Sequence, residues 1–143
     1  MKLREVMTQP VIRIHPEEPV AVAARTMAQY NIGAMPVCGS NGRVCGMITD
    51  RDIVTRCLAS GRSPSVTCVG DVMTANVTAV EPDMEASAAA ALMGQMQVRR
   101  LPVMEKGKLC GMVSLGDLSV KGESVLKAGD ALHQISSPLS RRE

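Results

Sequence analysis

The stretch Gly46-Met47-Ile48-Thr49-Asp50-Arg51-Asp52 returns later in the chain as Gly111-Met112-Val113-Ser114-Leu115-Gly116-Asp117. Each copy consists of a glycine, two apolar residues, a hydroxyl residue, two variable residues and an aspartate. The apolar pair is typical of the end of a strand, and the hydroxyl residue stands where a helix would begin. A helix N-terminus offers N–H groups and partial positive charge to a phosphate, and an aspartate can accept hydrogen bonds from a ribose. The motif therefore indicates a site for a sugar phosphate.

A second interpretation of the motif needs no ligand. A hydroxyl residue followed three positions later by an acid is also the pattern of a capping box, which satisfies helix N–H groups internally. Caps far outnumber phosphate sites, so one copy alone favours the cap. Two copies, each after the same glycine-methionine strand, favour a shared role in ligand binding, and the two roles can coexist.

Both copies of the motif belong to a longer internal repeat. Val6-Met7-Thr8 returns as Val72-Met73-Thr74, and Pro36-Val37 returns as Pro102-Val103. Roughly a third of the paired positions are identical, and a repeat of this length is one supersecondary unit that cannot bury its apolar face alone. We therefore expect an α+β fold in which two copies pack face to face.

The apolar periodicity predicts the order β-α-β-β-α in each copy. Apolar residues at helical spacing after Ser124 (Val125, Ala128, Leu132 and Ile135) predict one further helix. The chain divides into a first repeat over 1–58, a linker over 59–70, a second repeat over 71–121 and a tail over 122–143. Strands are predicted over 11–14, 35–38, 43–48, 77–80, 100–104 and 108–113, and helices from Pro16 to about residue 30, over 50–58, over 84–96 behind Asp83 as cap, and over 115–120.

The composition excludes several classes of protein. The 143 residues are 45% hydrophobic with a net charge of +2, which is typical of one compact globule and gives little attraction to nucleic acid. The chain has no Trp or Phe and one Tyr, so an aromatic platform for stacking bases cannot form. No apolar run reaches the roughly 18 residues of a membrane span, and no signal-peptide core is present at the start, so we expect a cytoplasmic protein.

The reactive residue types do not form a known catalytic pattern. The five cysteines include no Cys-x-x-Cys pair, and neither histidine has ligand or nucleophile partners nearby in sequence. Cys45 and Cys110 stand at equivalent strand positions and are expected to be buried, whereas Cys38, near a hairpin tip, is expected to be exposed. We find no P-loop, His-Glu-x-x-His or Gly-x-Ser-x-Gly motif, so no enzymatic activity is expected.

Two β-α-β-β-α copies, each with Val-Met-Thr near its start, an apolar-Pro-Val strand and the glycine-to-aspartate motif, resemble a tandem pair of CBS domains, a Bateman module. The resemblance covers residues 1 to about 121. The stretches 32–37 and 49–54 are similar to small stand-alone bacterial pairs that include the hypoxic response proteins of the stress response. The resemblance implies a pseudo-two-fold axis, a homodimer, and two clefts between the copies that in some members hold AMP, ADP, ATP or S-adenosylmethionine.

Carried over by motif, the resemblance implies that Thr49 and Asp52 serve one cleft, and that Ser114 and Asp117 serve the other. The hydroxyls would meet phosphate and the aspartates would meet ribose. The adenine would lie against the segments before the first strands and the apolar-Pro-Val strands, at Thr8, Val11, Ala34, Met35 and Pro36 in the first copy and at Thr74, Val77, Leu101 and Pro102 in the second.

Three arginines complete the candidate site. Arg99 and Arg100 stand where the first copy has Gly33-Ala34. Either arginine could lie on a solvated edge, as surface arginines commonly do, or could clamp a phosphate, whose oxygens match the guanidinium fork. Arg51 stands at a helix N-terminus, where the dipole disfavours a cation unless an anion is near. We therefore expect the two clefts to differ, with one preferring an anionic ligand.

Together with the resemblance, these observations predict a cytosolic regulatory module that senses an adenosyl ligand, needs no obligatory cofactor and signals to a protein target that is not identified. The alternative is a structural or dimerisation module in which the motifs only cap helices. A third hypothesis is a redox response through Cys38. A membrane partner is not expected, and a nucleic-acid partner is disfavoured.

Overall fold

The computed structural model describes residues 1–119 and 125–136, and it confirms the mixed α+β class with two repeats and a C-terminal helix. The chain divides into two compact units. The first unit is Ile12–Val77, and the second combines Met1–Val11 with Thr78–Glu143. The predicted cap of the tail helix, Ser124, lies outside the described residues.

The first unit contains one antiparallel sheet of three strands, which lie in the order β1 (Ala34–Cys38), β2 (Val44–Thr49) and β3 (Thr74–Ala75). The hairpin of the first two strands is the predicted one, with Ala34 opposite Thr49. The third strand comes from the second sequence copy and pairs Thr74 with Met47. The elements are α1 (Val20–Tyr30), β1 (Ala34–Cys38), β2 (Val44–Thr49), α2 (Asp50–Asp52), which continues as a π-helix over Ile53–Leu58, α3 (Val69–Val72) and β3 (Thr74–Ala75).

The second unit repeats this plan around a two-stranded antiparallel sheet in which Arg100 lies opposite Ser114. Thr8 of the first copy takes the place of the third strand. Its N–H donates to the Met112 carbonyl at 2.7 Å, and its own carbonyl accepts from the Met112 N–H at 3.2 Å. The elements are a 3₁₀ turn over Leu3–Glu5, α4 (Ala86–Met96), β4 (Arg100–Glu105), β5 (Lys108–Ser114), α5 (Leu115–Ser119) and α6 (Val125–Ser136).

The sequence repeat and the compact units therefore divide the chain differently. The Val-Met-Thr segment of each copy belongs to the unit that holds the hairpin of the other copy. Residues 1–11 of the predicted first repeat lie in the second unit, and residues 71–77 of the predicted second repeat lie in the first. Strand pairing produces this exchange, because β2 and β5 each have an edge whose polar backbone groups need a partner.

The predicted strands over 11–14 and 77–80 are wrong, because only one residue of each pairs. Ile14 bridges Val37 in parallel, and Val80 bridges Val103 in the same way. The Ile14 N–H donates to the Pro36 carbonyl and the Ile14 carbonyl accepts from the Cys38 N–H. The next hydrogen bond of a parallel ladder would need a donor on Pro36, which has no N–H. Pro102 ends the equivalent ladder in the second unit.

Two helix starts also differ from the prediction. Helix α1 begins at Val20 rather than Pro16, after Pro19 in an extended conformation. Helix α4 begins at Ala86, and its preceding residue makes no side-chain cap. Asp83, the predicted cap, instead accepts two hydrogen bonds from the Arg4 guanidinium, at 2.8 and 3.0 Å. This ion pair holds the pKa of the Asp83 carboxyl below its usual range and ties the N-terminal segment to the second copy.

Each unit has its own apolar core. Helix α1 and the β1–β2 hairpin enclose the first core, with Met35, Val37 and Ile48 fully buried. Helix α4 contributes alanines to the second core, and these small side chains allow α6 to approach closely. A side chain at Gly94 would fall on Gln134 and on the backbone of Ala131 in α6.

The glycine of each sheet is covered by the methionine of a Val-Met-Thr segment. A Cβ on Gly46 would lie 2.6 Å from the Thr74 carbonyl oxygen and 2.7 Å from the Met73 sulfur. A Cβ on Gly111 would lie 2.5 Å from the Met7 sulfur. Two motifs that are far apart in sequence are therefore complementary in shape, and glycine is required where they meet.

We expect Gly46→Ala to lower the free energy of unfolding by about 1–3 kcal/mol, because the new methyl group overlaps a backbone oxygen that cannot rotate away. Urea denaturation measures the change. Gly39→Ala is the matched control, since its Cβ would meet only an ordinary 3.4 Å contact with the Asn41 side chain. Equal stabilities for the two variants would contradict the proposed packing.

Candidate functional site

The hydroxyl and aspartate of the first motif form a reciprocal capping box. Thr49 ends β2 in an extended conformation and precedes the first turn of α2. Its hydroxyl oxygen accepts from the Asp52 N–H at 3.0 Å, and Asp52 Oδ2 accepts from the Thr49 N–H at 3.0 Å. Asp52 is 7% exposed, so the carboxylate is held in a largely buried position.

The second motif makes the same two hydrogen bonds. The Asp117 N–H donates to the Ser114 hydroxyl at 3.0 Å, and Asp117 Oδ2 accepts from the Ser114 N–H at 2.9 Å. Asp117 is half-buried. The capping interpretation is therefore confirmed in both copies. The caps use Oδ2 of each carboxylate, and each hydroxyl keeps its hydrogen for donation. The Oδ1 atom of Asp117 accepts no hydrogen bond from a described residue, and that of Asp52 lies 3.7 Å from Arg56 Nε.

The N–H groups of the first motif are not open to an anion. Acceptors within the chain bind all three N–H groups. The Asp50 N–H donates to the Gly33 carbonyl, and the Arg51 N–H donates to Asp50 Oδ1 at 2.8 Å. The Asp52 N–H donates to the Thr49 hydroxyl. The expectation of unpaired first-turn N–H groups is therefore wrong for this unit. The cause is Asp50, whose side chain acts as an internal anion over the first turn.

In the second motif, Leu115 stands at the position that Asp50 occupies in the first. The Leu115 N–H donates to the Arg99 carbonyl at 2.8 Å, and the Asp117 N–H is taken by the serine cap. No described residue provides an acceptor for the Gly116 N–H. The two motifs thus share their caps but differ in the residues between hydroxyl and acid.

The structure regroups the candidate residues by unit rather than by sequence copy. In the first unit, Thr74 pairs with Met47, two residues from Thr49, so the second copy's threonine joins the first copy's motif. In the second unit, Thr8 pairs with Met112 and so joins Ser114. The first unit holds Ala34, Met35, Pro36, Thr49, Arg51, Asp52, Thr74 and Val77, and the second holds Thr8, Val11, Arg99, Arg100, Leu101, Pro102, Ser114 and Asp117.

The candidates differ in exposure. Met35, Pro36, Leu101 and Pro102 are buried in the cores, so only their backbone edges are placed for contact with a ligand. The two threonines of the Val-Met-Thr segments and the three arginines are exposed. Ala34, Thr49, Ser114, Val11 and Val77 are half-buried.

Sequence reasoning missed one residue beside the first carboxylate. The Arg56 Nε atom lies 3.7 Å from Asp52 Oδ1, and its Nη1 atom donates to the Met73 carbonyl at 3.1 Å. Arg56 therefore connects the capping carboxylate to the segment that carries Thr74. The spacing of four residues from an aspartate was the available signal.

The cysteines are placed differently from the prediction. Cys38 is 4% exposed, because its backbone joins the Ile14 bridge instead of forming an open hairpin tip. Cys45 is exposed and Cys110 is half-buried, although both were expected to be buried. Burial raises the pKa of the Cys38 thiol. A reactive thiolate at Cys38 is therefore disfavoured, since the thiolate is the nucleophile.

We searched the described part of the chain for a metal site and for a membrane-spanning helix. No group of three or more His, Cys, Asp or Glu side chains there could hold a metal ion. Among the same residues, no helix combines the length and apolar character that crossing a membrane requires.

The duplicated sheets and caps are those of a known domain. The model of the CBS domain matches residues 3–59 and 69–121, so the chain belongs to the CBS domain family as a tandem pair. Stand-alone CBS pairs are generally regulatory proteins rather than enzymes.

Comparison with individual proteins agrees with this assignment. The CBS domain-containing protein YhcV of Bacillus subtilis is 41% identical over 134 residues, which cover 94% of each chain. The crystal structure of Hypoxic Response Protein I, which holds two coordinated zinc ions, superposes with a TM-score of 0.78 at 32% identity, covering 84% of this chain and 98% of that one. The predicted likeness to hypoxic response proteins is therefore confirmed.

A second solved structure shares the fold alone. The CBS pair of protein MJ0100, solved in complex with 5′-methylthioadenosine and S-adenosyl-L-methionine, gives a TM-score of 0.76 at 24% identity. It covers 84% of this chain and 94% of that chain.

We expect Thr49→Val to lower the free energy of unfolding by about 0.5–2 kcal/mol, because the Asp52 N–H loses its acceptor. Urea denaturation checks this value. Thr49→Ser keeps the oxygen and should be close to wild type, as should Thr55→Val, which removes an exposed hydroxyl bonded to the Arg51 carbonyl. A Thr49→Val cost no larger than that of Thr55→Val would show that the cap is not stabilising.

Alkylation should distinguish the thiols. We expect iodoacetamide to modify the exposed Cys45 first and to reach Cys38 and Cys57 only after unfolding, because both are buried. Peptide mass spectrometry over a time course measures the order, and Cys45→Ser should lose the fast phase. Cys38 as the fastest-reacting thiol in the folded protein would revive the redox hypothesis.

Proposed function

We propose that this protein binds an adenosyl ligand, either AMP, ADP, ATP or S-adenosylmethionine, through the hydroxyl and the carboxylate of the capping box in each unit. The observation that carries the proposal is the geometry of the two boxes. Each box fixes a carboxylate by one oxygen, Oδ2. The Oδ1 atom of Asp52 lies 3.7 Å from Arg56 Nε, beyond hydrogen-bond distance, and that of Asp117 accepts no hydrogen bond from a described residue, so both can accept from the hydroxyls of a ribose.

The surroundings of the carboxylates support this role. A hydrogen bond to a partly buried carboxylate is stronger than one in water, and both aspartates are at least half-buried. The exposed Thr74 and Thr8 lie one strand away and provide further hydroxyls. The CBS pair of MJ0100 holds adenosyl compounds on the same fold, so the fold accommodates ligands of this class.

Binding would act by selecting a conformation. A ligand that binds one arrangement of the chain better than another shifts the population toward it. We propose that the favoured arrangement is recognised by a protein target, that the protein works as a homodimer in the cytoplasm, and that it catalyses no reaction.

The structural alternative rests on the same hydrogen bonds. The caps are satisfied without a ligand, so a module that only folds and assembles would show the same boxes. A substitution that keeps the cap hydrogen bonds but removes the negative charge of the two capping aspartates distinguishes the two functions.

We expect the double variant Asp52→Asn, Asp117→Asn to lose affinity by about tenfold or more, because an amide binds the diol more weakly than a carboxylate. Its unliganded stability should change by less than about 1 kcal/mol, since the amide oxygen can still accept the cap hydrogen bond. Calorimetry with each of the four ligands measures affinity. Thermal shift provides a check, since saturation at 100 times Kd adds roughly 2.7 kcal/mol.

Asp71→Asn is the matched control, because Asp71 is an exposed acid in the first turn of α3 outside the candidate set. It should bind as wild type does. Absence of binding by all four ligands at millimolar concentration would reject the sensor and favour the structural module.

A further inference from the structure

Four positions border the capping box in each unit, and all four differ between the units. Two lie at the start of the strand opposite the hydroxyl residue, and two lie between the hydroxyl and the acid. They are Gly33, Ala34, Asp50 and Arg51 in the first unit and Arg99, Arg100, Leu115 and Gly116 in the second.

The backbone at these positions is the same in both units. The Asp50 N–H donates to the Gly33 carbonyl at 2.9 Å, and the Leu115 N–H donates to the Arg99 carbonyl at 2.8 Å. The units therefore share this hydrogen bond but differ in side-chain charge and at the next N–H, since Asp50 Oδ1 accepts from Arg51 whereas no described residue accepts from Gly116.

In the first unit, this edge carries a fixed carboxylate. Asp50 Oδ1 accepts from the Arg51 N–H at 2.8 Å, and Asp50 Oδ2 lies 3.1 Å from the point that a Cβ on Gly33 would occupy. Residue 33 has no side chain to neutralise this carboxylate. Together with Arg51, the capping Asp52 and Arg56, whose Nε atom lies 3.7 Å from Asp52 Oδ1, the formal charge of the edge is zero.

In the second unit, the same edge carries two exposed guanidinium groups and no counterpart of Asp50. Arg99 and Arg100 follow each other, and Leu115 and Gly116 carry no charge. Together with the capping Asp117, the formal charge is +1. Among the described residues, the second edge is thus more positive than the first, and only the first edge carries a carboxylate besides the capping one, that of Asp50.

We propose that the two units select adenosyl ligands of different charge. The second unit takes a nucleotide with a phosphate group, such as AMP, and the first unit takes an adenosyl compound without phosphate, such as adenosine or the sulfonium S-adenosylmethionine. Asp50, Arg99 and Arg100 are the residues that determine this specificity. The inference rests on the proposed function, because it assumes that both caps receive adenosyl ligands.

The physical basis is repulsion between a phosphate dianion and the Asp50 carboxylate beside the first cap, and attraction between the dianion and the exposed Arg99 and Arg100 guanidinium groups beside the second. At close range near a protein surface, a pair of charges changes affinity by about fivefold or more, even when largely solvated. The effect should weaken at high salt, since both edges are exposed.

The test measures AMP, adenosine and S-adenosylmethionine by calorimetry on the intact protein. For wild type we expect one AMP per chain. Asp50→Asn keeps the size of the side chain and an acceptor for the Arg51 N–H but removes the charge. It should create or strengthen a second AMP site by about fivefold or more. Arg99→Gln should weaken the existing AMP site by a similar factor and leave adenosine unaffected within about twofold.

Two matched controls make the same charge changes elsewhere. Glu17→Gln and Lys108→Gln alter exposed residues outside both edges and should leave all three affinities unchanged. Circular dichroism confirms that each variant is folded, and the isosteric change at Asp50 is the variant least expected to disturb folding.

The outcomes separate the inference from the proposed function. Two equivalent AMP sites in wild type, or AMP affinity unaffected by both Asp50→Asn and Arg99→Gln, would overturn the inference while the adenosyl function stands. Failure of all three ligands to bind wild type would overturn the inference, and failure of ADP and ATP as well would overturn the proposed function.

Discussion

The contact between each Val-Met-Thr segment and the glycine of a strand is the constraint on which the rest of each unit depends. Because Gly46 has no side chain, the carbonyl of Thr74 and the side chain of Met73 can reach the strand. The segment then pairs with β2, which ends two residues later at the capping Thr49. Packing and the candidate site therefore share one strand, and a change at the glycine would displace the segment that borders the site.

Much of this architecture could be predicted from the sequence because the signals are local. Hairpins, the main helices and both capping boxes follow from apolar periodicity and short motifs, whose hydrogen bonds span only a few residues. The exchange of Val-Met-Thr segments could not be predicted, because the tandem repeat is equally compatible with pairing inside a copy and between copies. The single-residue bridges at Ile14 and Val80 were not predicted. Each ladder stops there because a proline on the neighbouring strand has no N–H to donate, and the sequence of the short segment itself does not show this.

Predictions for the candidate site failed where a side chain competes with the backbone. The motif predicted N–H groups ready for an anion, but Asp50 satisfies one of them from within the chain. Nothing in the motif distinguishes this aspartate from any residue at a variable position. Cys38 shows the converse case, since a position near a hairpin loop became buried when its N–H bonded the Ile14 carbonyl. Local sequence patterns show which polar groups can form hydrogen bonds, whereas the tertiary structure decides which of them already have a partner.

The choice of acid in the capping boxes connects stability with the proposed binding. A capping box is commonly completed by Glu or Gln three residues after the hydroxyl, because the longer side chain reaches back to the cap N–H. Both copies instead carry aspartate, at Asp52 and Asp117, and both reach the cap N–H at 2.9–3.0 Å with one oxygen. The shorter side chain keeps the second oxygen close to the backbone and restricts its motion. A carboxylate that is already ordered loses less conformational entropy when a ligand binds, so a cap of this kind both stabilises the helix start and preorganises an acceptor for the proposed ligand.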